Sequence, residues 1–422
     1  MRSIFPATTG PRARRAAVGL LPVVATVATL APFASLGVVV LGAAVALMGG
    51  RSPHTDARRL LLVPAGSLTV AVFAVLFGAS HLAGDCFFVL AVALATAARA
   101  LGRAAATVGR ALVLPLIGML IAPVAPGAHP LRTLLWATLA VLVADAYVLT
   151  VGLMVRRDRP VRQEPAAGVP ARVHLARGVQ AGVALAAAFL VGQSVFGDHW
   201  AWTVISAYTV GAAARSRGDA ILKGIHRTVG AVGGTVAATL LAGAVGANRT
   251  LTVGLLLAVL AAGAVLRDYG YAWWAASVTA ALALLYQLLG VADPHALLAG
   301  RLAAVVAGAL CAVLPAALLV PVRTGAVVRK RAAEALRAIK GNDPGLAAER
   351  VGALREAAKP LQAVRRWHVR PELAWVDALT AVLPDLRRAE VTDAARHAAA
   401  EVGRSLRATG GDRAGQERPR PA

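Results

Sequence analysis

The sequence predicts an all-α polytopic membrane protein with about twelve transmembrane helices. Apolar residues other than glycine make up 58% of the 422 residues and charged residues only 15%, whereas about 25% of the residues of soluble globular proteins are charged. Apolar runs close to the spanning length of roughly 17–25 residues recur as far as residue 320. This composition excludes a disordered chain, a coiled coil and an ordinary soluble enzyme, and two cysteines exclude a disulfide framework.

The first half begins with a basic N-terminal segment, residues 1–15, which six predicted spans follow over residues 16–155. Several of these runs are shorter than an ordinary span, and Pro32 is compatible with either a kink or a turn between the first two. The count therefore holds to about one span in each half. The predicted spans are Ala16–Ala31, Phe33–Met48, Leu60–Phe77, Cys86–Ala98, Ala111–Val124 and Leu131–Val155.

The second half follows a proline-containing segment, residues 156–177, which we interpret as a cytoplasmic linker. Residues 178–320 then predict six further spans. These are Gly178–Phe196, Trp200–Ala214, Thr228–Val245, Leu251–Leu266, Tyr271–Leu289 and Ala296–Val320.

The composition changes after Pro321. Residues 321–408 are charged and rich in alanine, with apolar residues at helical spacing, which predicts a cytoplasmic helical region. Asp343 before Pro344 is typical of an N-cap followed by proline in the first turn, and Pro371 indicates another helix start. The glycine, arginine and proline of residues 409–422 predict a disordered tail.

The distribution of basic residues predicts the orientation. The net charge of +23 comes mainly from arginine, and one set of loops carries nearly all of the loop arginines. The opposite loops carry only Arg132, Arg249 and Arg301. Because basic loops stay in the cytoplasm, both termini are predicted to be cytoplasmic in a multi-pass protein of the plasma membrane. Nucleic-acid binding is not expected, since the basic residues are spread along the membrane edges rather than gathered on one fold.

The two halves can be overlaid at an offset of 164 residues (215 − 51 = 164). Arg51 then falls on Arg215, Arg103 on Arg267 and Pro130 on Pro294. Each half has six predicted spans, so both copies have the same orientation, as in transporters built from parallel repeats. The alternative is a coincidence in an alanine-rich chain.

An arginine precedes a glycine by seven residues near the start of three predicted spans. Seven residues are about two helical turns, so both residues lie on one helix face, where glycine lets another backbone approach. We assign Arg227, Gly230, Gly234 and Gly308 to helix packing, with Gly230 and Gly234 forming a GxxxG motif. The three pairs are Arg59/Gly66, Arg227/Gly234 and Arg301/Gly308.

Four motifs of the second half occur in a recognisable order. They are His199-Trp-Ala-Trp-Thr203, the stretch from Gly224 to Gly234, Arg267-Asp-Tyr-Gly-Tyr-Ala-Trp273 and the stretch from Gly300 to Gly308. This order resembles the fusaric acid resistance protein family and its aromatic acid exporter relatives, over about residues 178–320. The resemblance implies a plasma-membrane exporter of organic or aromatic acids, within a clan that also contains plant anion channels for malate. The hydroxyl residue that the family carries after Gly230 is replaced by Ala231 here.

Asp145 is the only acid that the sequence places deep inside a predicted span. A carboxylate there costs about 2.5–3.5 kcal/mol on insertion scales, so such residues usually have a function. It is expected to carry a proton in a coupled carrier, to pair with an arginine of another helix, with Arg301 as the first candidate, or to be a neutral acid bonded to the backbone.

Arg301 is a candidate ligand for a substrate carboxylate, because a guanidinium binds a carboxylate through two hydrogen bonds. The alternative is that its side chain extends to the outer headgroups. Five further polar residues could line a pathway, although hydroxyl side chains often bond to their own helix and tyrosines often lie at the membrane interface. They are Thr203, Ser206 and Tyr208 on one span, and Tyr286 and Gln287 on another. The aromatic residues Trp200, Trp202, Tyr271, Trp273 and Trp274 are interpreted mainly as an interfacial belt, the alternative being stacking on an aromatic substrate.

The expected function is secondary export of organic, mainly aromatic, acids. No P-loop, GxSxG or HExxH motif and no metal-ligand spacing occurs, so neither an enzyme nor a cofactor or metal is predicted. The expected partners are membrane lipid, a small organic anion and either a second copy of the chain or an accessory envelope subunit. A passive organic-anion channel is one alternative; the other is a membrane anchor or assembly protein that recruits partners through its cytoplasmic helices.

Overall fold

The computed structural model describes twelve stretches of the chain. Their residues form helices and connecting turns without a β-strand, which confirms the all-α class. Two compact units are present, one formed by Met1–Ala212 with Lys223–Val320 and the other by Ala213–Leu222 with Pro321–Ala422. The described residues are 11–50, 63–121, 130–154, 171–212, 214, 216–245, 248–267, 269–288, 297–319, 323–365, 370–388 and 390–416.

Six α-helices of the first unit come from the first half of the chain, counted over its described residues. They follow the order of the predicted apolar runs. They are α1 (Pro11–Leu30), α2 (Leu36–Gly50), α3 (Val63–Ala79), α4 (His81–Ala97), α5 (Arg103–Ile121) and α6 (Pro130–Met154). A short 3-10 turn, Ala98–Leu101, lies between α4 and α5 and ends at Gly102, whose φ of 107° favours glycine.

Six more helices are described in the second half, and all of them belong to the same unit except for residues 217–222 at the beginning of α9, which belong to the second unit. They are α7 (Ala171–Phe196), α8 (Trp200–Ala212), α9 (Arg217–Val245), α10 (Arg249–Leu266), α11 (Tyr271–Leu288) and α12 (Leu297–Leu318). Gly197, at a φ of 50°, opens the 3-10 turn Gly197–His199 that joins α7 to α8. Asn248 caps α10, because its side-chain oxygen accepts a hydrogen bond from the backbone N–H of Leu251 at 3.1 Å.

Five helices among the described residues are long and apolar enough to cross a membrane, judged by length and composition. They indicate a membrane protein. A crossing by all twelve helices, with both termini in the cytoplasm, stays a prediction. The five segments are His81–Leu101, Leu135–Met154, Ala171–Phe196, Arg249–Leu266 and Gly300–Leu318.

Helix packing in the first unit follows two similar patterns. In the first half, α1, α2 and α6 pack on one another, and α3, α4 and α5 do the same. In the second half, α7, α8 and α12 pack on one another, and α10 packs on α11. Among the contacts that join the halves, two occur at corresponding helices, since α4 packs on α7 and α10 packs on α1; α5 also contacts α8.

The second unit has a hydrophobic core of its own. Its helices are α13 (Thr324–Lys340), α14 (Pro344–Ala363), α15 (Pro371–Ala381), α16 (Leu383–Arg387) and α17 (Asp393–Gln416). Val351, Leu354 and Leu379 are fully buried in this core. The start predicted for α14 is confirmed, because Asp343 Oδ1 accepts a hydrogen bond of 2.9 Å from the N–H of Leu346 and Pro344 is in the first turn. Pro371 likewise begins α15.

Several predicted boundaries differ from the structure, among them the following three. The fourth helix begins at His81 rather than Cys86, because Asp85 interrupts the apolar run without interrupting the helix. Residues 171–177 of the predicted linker belong to α7, since Pro170 is the last of the three prolines and a helix can start directly after it. Residues 409–416 of the predicted disordered tail belong to α17, because extending an existing helix costs less than nucleating one.

Candidate functional site

Polar side chains from four helices lie buried together in the second half of the first unit. Helices α8, α9, α11 and α12 contribute them, and the surrounding residues are alanine, valine and leucine at helical spacing. We call this group the arginine cluster. Its members are Trp202 on α8, Arg227 on α9, Thr279 and Tyr286 on α11, and Arg301 on α12.

Arg227 is 2% exposed and lies about three turns into α9. Its Nη1 donates a hydrogen bond of 3.5 Å to the hydroxyl of Thr279. Its Nε and Nη2 have no hydrogen-bond partner among the described residues. The sequence predicts a span that begins at Thr228, directly after Arg227; in the structure α9 starts ten positions before Arg227 (227 − 217 = 10), so this arginine lies inside the helix.

Arg301 is also buried, at 7% exposure, near the start of α12. Its Nη2 donates a hydrogen bond of 2.8 Å to the backbone oxygen of Thr279. Its Cζ lies 3.7 Å from the centroid of the Trp202 ring, which is a close cation–π contact. The ring of Trp202 in turn meets Tyr286 edge-on at 5.8 Å. Arg301 therefore points into the unit, and its Nε lacks a partner within the described stretches.

The two guanidinium groups converge on one residue, Thr279, through its hydroxyl and its carbonyl. They are close enough to repel each other, and no carboxylate forms an ion pair with either in the part of the chain that the structure describes. Burying one unpaired charge is costly, and burying two like charges together is more so. An anion that accepts their unpaired N–H groups would offset this cost.

The unpaired atoms of Arg227 form a specific geometry. Nε and Nη2 are the two donors on one edge of the guanidinium plane, and this edge binds the two oxygens of a carboxylate side-on. Because Thr279 holds the opposite nitrogen, Nη1, the free edge is fixed in orientation. The cluster is therefore suited to bind an organic acid rather than a spherical ion.

Glycines of α9 position Arg227. A Cβ atom at Gly230 would lie 2.6 Å from the Cβ of Ala275 on α11, and one at Gly234 would overlap the backbone oxygen of Ala276. Only glycine permits this approach of α9 to α11. The close approach lets Arg227, one turn before Gly230, reach Thr279.

The predicted pathway residues Thr203 and Ser206 line the contact between α8 and α12. Both are fully buried, and their hydroxyl oxygens have no hydrogen-bond partner among the described residues. Gly308 of α12 faces them, because a Cβ atom there would overlap the backbone oxygen of Thr203 and approach the Cβ of Ser206 to 2.9 Å. Neither hydroxyl donates a hydrogen bond to the backbone of its own helix, so the alternative of such a bond does not apply to Thr203 and Ser206.

The other predicted residues are more dispersed. Asp145 is half-buried on α6, and its pairing with Arg301 stays a prediction. Tyr208 packs against the apolar core that α4, α5 and α7 share with α8. Gln287 is half-buried near the end of α11. The structure thus links Arg301 to Tyr286 through Trp202. It adds Arg227 and Thr279, which the sequence had not assigned to a substrate site.

Part of the second half of the chain matches a known protein family. Residues 178–314 match the fusaric acid resistance protein-like family. The predicted resemblance is confirmed for this region. No curated protein and no solved structure shows a significant match to the chain.

The fusaric acid resistance-like region contains every member of the arginine cluster. It begins inside α7 and ends inside α12. The buried arginines, the glycines that position them and the region of family similarity therefore coincide.

The aromatic residues of the fusaric acid resistance-like region divide into two groups. Trp273 is 55% exposed, which fits the predicted belt. Trp202 and Trp274 are buried, and Trp200 stacks between Phe77 and Phe189. The interfacial-belt interpretation is therefore wrong for Trp202, because its ring is buried and contacts the guanidinium of Arg301.

Proposed function

We propose that the protein is a secondary transporter that exports organic acids across the plasma membrane, and that aromatic carboxylates are its preferred substrates. The observation that carries this proposal is the pair of buried arginines with an unpaired, carboxylate-shaped edge on Arg227. The similarity of residues 178–314 to the fusaric acid resistance protein-like family supports a role in membrane transport and resistance. The proposal is a transporter, not an enzyme.

The preference for aromatic acids rests on the rings beside the guanidinium groups. Trp202 covers Arg301, and Tyr286 touches the edge of Trp202. An aromatic substrate with its carboxylate on Arg227 would place its own ring in this aromatic surrounding, where offset and edge-on ring contacts contribute about 0.5–1.5 kcal/mol each.

The direction of transport is favoured by the membrane potential. An anion leaving a cell that is negative inside gains roughly 2.3 kcal/mol per charge for each 100 mV. The same gain makes a passive organic-anion channel physically sufficient. Export against an electrochemical gradient distinguishes the secondary transporter from the passive channel.

The membrane unit is proposed to consist of two six-helix repeats in parallel orientation. Helix α3 meets α5 where Gly66 faces the backbone oxygen of Ala111, and α9 meets α11 where Gly230 faces Ala275. Each residue of the second pair lies 164 positions after its counterpart (230 − 66 = 275 − 111 = 164). The contacts of α4 with α7 and of α10 with α1 are related in the same way, as a pseudo-two-fold axis along the membrane normal requires.

A binding experiment tests the substrate class. Arg227→Lys keeps the charge but removes the two-donor edge, so benzoate affinity should fall by about 10- to 100-fold, given that a hydrogen bond to a charged group contributes about 1.5–3 kcal/mol. The exposed Arg249, changed to Lys, is the matched control and should bind benzoate as the unchanged protein does. Calorimetric titration of the purified protein measures both. Unaltered benzoate affinity in Arg227→Lys contradicts the proposed site.

A second candidate function follows from the separate core of the second unit. That unit would act as a cytoplasmic module that recruits a partner to a non-transporting membrane anchor. Ending the chain after Thr324 distinguishes the two, because every helix of the first unit lies upstream. We expect the shortened protein to insert into membranes and still bind benzoate; loss of insertion contradicts a separable module, and absent benzoate binding in the intact chain favours the anchor.

A further inference from the structure

Asp85 is a buried acid inside α4, within the segment His81–Leu101 that is long and apolar enough to cross a membrane. It is 8% exposed, and its Oδ1 has no hydrogen-bond partner among the described residues. A charged carboxylate in such a place is costly, so it is rarely retained without a function. Asp85 does not belong to the arginine cluster, which α8, α9, α11 and α12 form.

Gln193 on α7 faces Asp85 across the contact between the two helices. The two side chains interact without completing a hydrogen bond of good geometry, because Gln193 Nε2 is also without a partner in the described structure. Asp85 Oδ1, a buried acceptor without a hydrogen bond in the described structure, therefore lies opposite the amide of Gln193, whose buried Nε2 is a donor without one. A proton on Asp85 would turn the acceptor-only carboxylate into a donor and allow it to bond to the amide oxygen of Gln193.

His81 provides a route from the surface to this carboxyl group. It is exposed at the first position of α4 and lies one turn before Asp85, on the same helix face. It interacts electrostatically with Asp85 and packs edge-on against Phe77 at 4.4 Å. An imidazole is a common proton shuttle.

No other ionisable residue occurs on the neighbouring helix segments. Residues 68–79 of α3, 112–121 of α5 and 182–196 of α7 contain none. Helices α3, α5 and α7 pack on α4. The order of the chain places these three segments near the beginning of α4. Within these segments and the first turns of α4, His81 and Asp85 are the acid and imidazole that interact with each other; a second imidazole, His199, follows α7 and precedes Trp200, whose ring stacks on the same Phe77 as His81.

The pair lies at a contact that joins the two halves of the membrane unit, because α4 belongs to the first half and α7 to the second. Motion of one half against the other is the usual basis of alternating access. A change of charge at this contact would favour one arrangement of α4 and α7 over the other.

We propose that Asp85 binds the proton whose movement is coupled to organic-anion transport, with His81 as the residue that conducts it. The coupling rests on the proposed function, whereas proton binding by Asp85 does not. The proton passes reversibly between the imidazole and the carboxyl group, so no oxidant or further reactant takes part.

Infrared difference spectroscopy of the full-length protein in lipid nanodiscs tests proton binding without any substrate. Between about pH 5 and about pH 8, a protonated-carboxyl band should titrate in the unchanged protein and be absent from Asp85→Asn. His81→Gln, at an exposed position, should change the pH midpoint of that band. A band that is retained in Asp85→Asn, or a midpoint that His81→Gln leaves unchanged, overturns the proposal.

Proteoliposomes test the coupling with labelled phthalate as the probe. Asp85→Asn should reduce phthalate accumulation driven by a pH gradient to the level of protein-free vesicles, while phthalate exchange at equal pH continues. Cys86→Ala, the exposed neighbour on the same helix, is the matched control and should retain both activities. Gradient-driven accumulation that is lost in Asp145→Asn but retained in Asp85→Asn, or that follows sodium instead of pH, overturns the proposal.

The two experiments separate the proposals. An infrared band that disappears in Asp85→Asn, together with no phthalate or benzoate transport by the unchanged protein, retains the proton site and removes the proposed function. Phthalate exchange together with a band that persists in Asp85→Asn retains the function and removes the proton site.

Discussion

At the scale of single residues, Thr279 determines how the two arginines are held. Its hydroxyl accepts from Arg227 and its backbone oxygen from Arg301. A substitution of Thr279 therefore removes only the hydrogen bond to Arg227. Thr279 allows the orientation of Arg227 to be tested separately from its charge.

Thr279→Val keeps the shape of the side chain and removes the hydroxyl. Arg227 loses its hydrogen bond to Thr279, and with it the fixed direction of its free edge, so benzoate affinity should fall by about five- to thirtyfold for a hydrogen bond that contributes about 1–2 kcal/mol. Thr279→Ser should restore the affinity. Thr239→Val is the control, because the hydroxyl of Thr239 bonds only to the backbone oxygen of Thr235 in its own helix. Equal benzoate affinity in Thr279→Val and the unchanged protein would argue against this positioning role.

Trp202 is the residue that tests the preference for aromatic substrates. Trp202→Phe keeps a ring beside Arg301 and Trp202→Leu removes it, and the cation–π contact contributes about 0.5–2 kcal/mol. We expect Trp202→Leu to weaken binding of benzoate more than binding of acetate, and Trp202→Phe to lie between. Affinities for the two acids, measured on the same preparation, give the comparison; an equal loss for both acids assigns Trp202 to holding Arg301 alone.

At the scale of helices, the contact between α9 and α11 sets the geometry of the site. Gly233 and Gly234 are neighbours on α9 with opposite surroundings, because a Cβ atom at Gly233 meets nothing within 4 Å and one at Gly234 overlaps the backbone oxygen of Ala276. Gly234→Ala should therefore destabilise the protein by about 1–3 kcal/mol, as overpacking does, and move Arg227 away from Thr279. Gly233→Ala should be neutral or slightly stabilising. Thermal unfolding and benzoate binding measure the pair, and similar melting temperatures for both variants contradict the close contact.

The helices themselves could be predicted from the sequence, but their polar residues could not be placed. Apolar runs gave the order of α1 to α12 because long apolar segments have few alternatives to a helix. Asp85 interrupts such a run and Arg227 precedes one. A hydropathy pattern assigns a charged residue in either position to a loop. Their burial depends on partners from distant parts of the chain, Gln193 for one and Thr279 for the other, and spacing along the sequence carries no information on those contacts.

At the scale of the whole molecule, the arginine cluster has no equivalent in the first half of the chain. The positions 164 residues before Trp202, Arg227, Thr279 and Arg301 are Val38, Val63, Pro115 and Ala137. Val38, Pro115 and Ala137 are buried in apolar surroundings. The positions of the first half that correspond to these four residues of the arginine cluster are thus all apolar.

One anion site in each chain follows from this asymmetry. A binding site that the two proposed repeats shared equally would require guanidinium groups from both halves, and a site duplicated in each half would require a second pair. The apolar residues at the positions 164 residues earlier provide neither. Calorimetric titration with benzoate should therefore give one molecule bound per chain, and Arg227→Lys should reduce the affinity without changing this number. Two molecules per chain, with only one of them sensitive to Arg227→Lys, would place a second anion site in the first half, built from other residues than those that correspond to the arginine cluster.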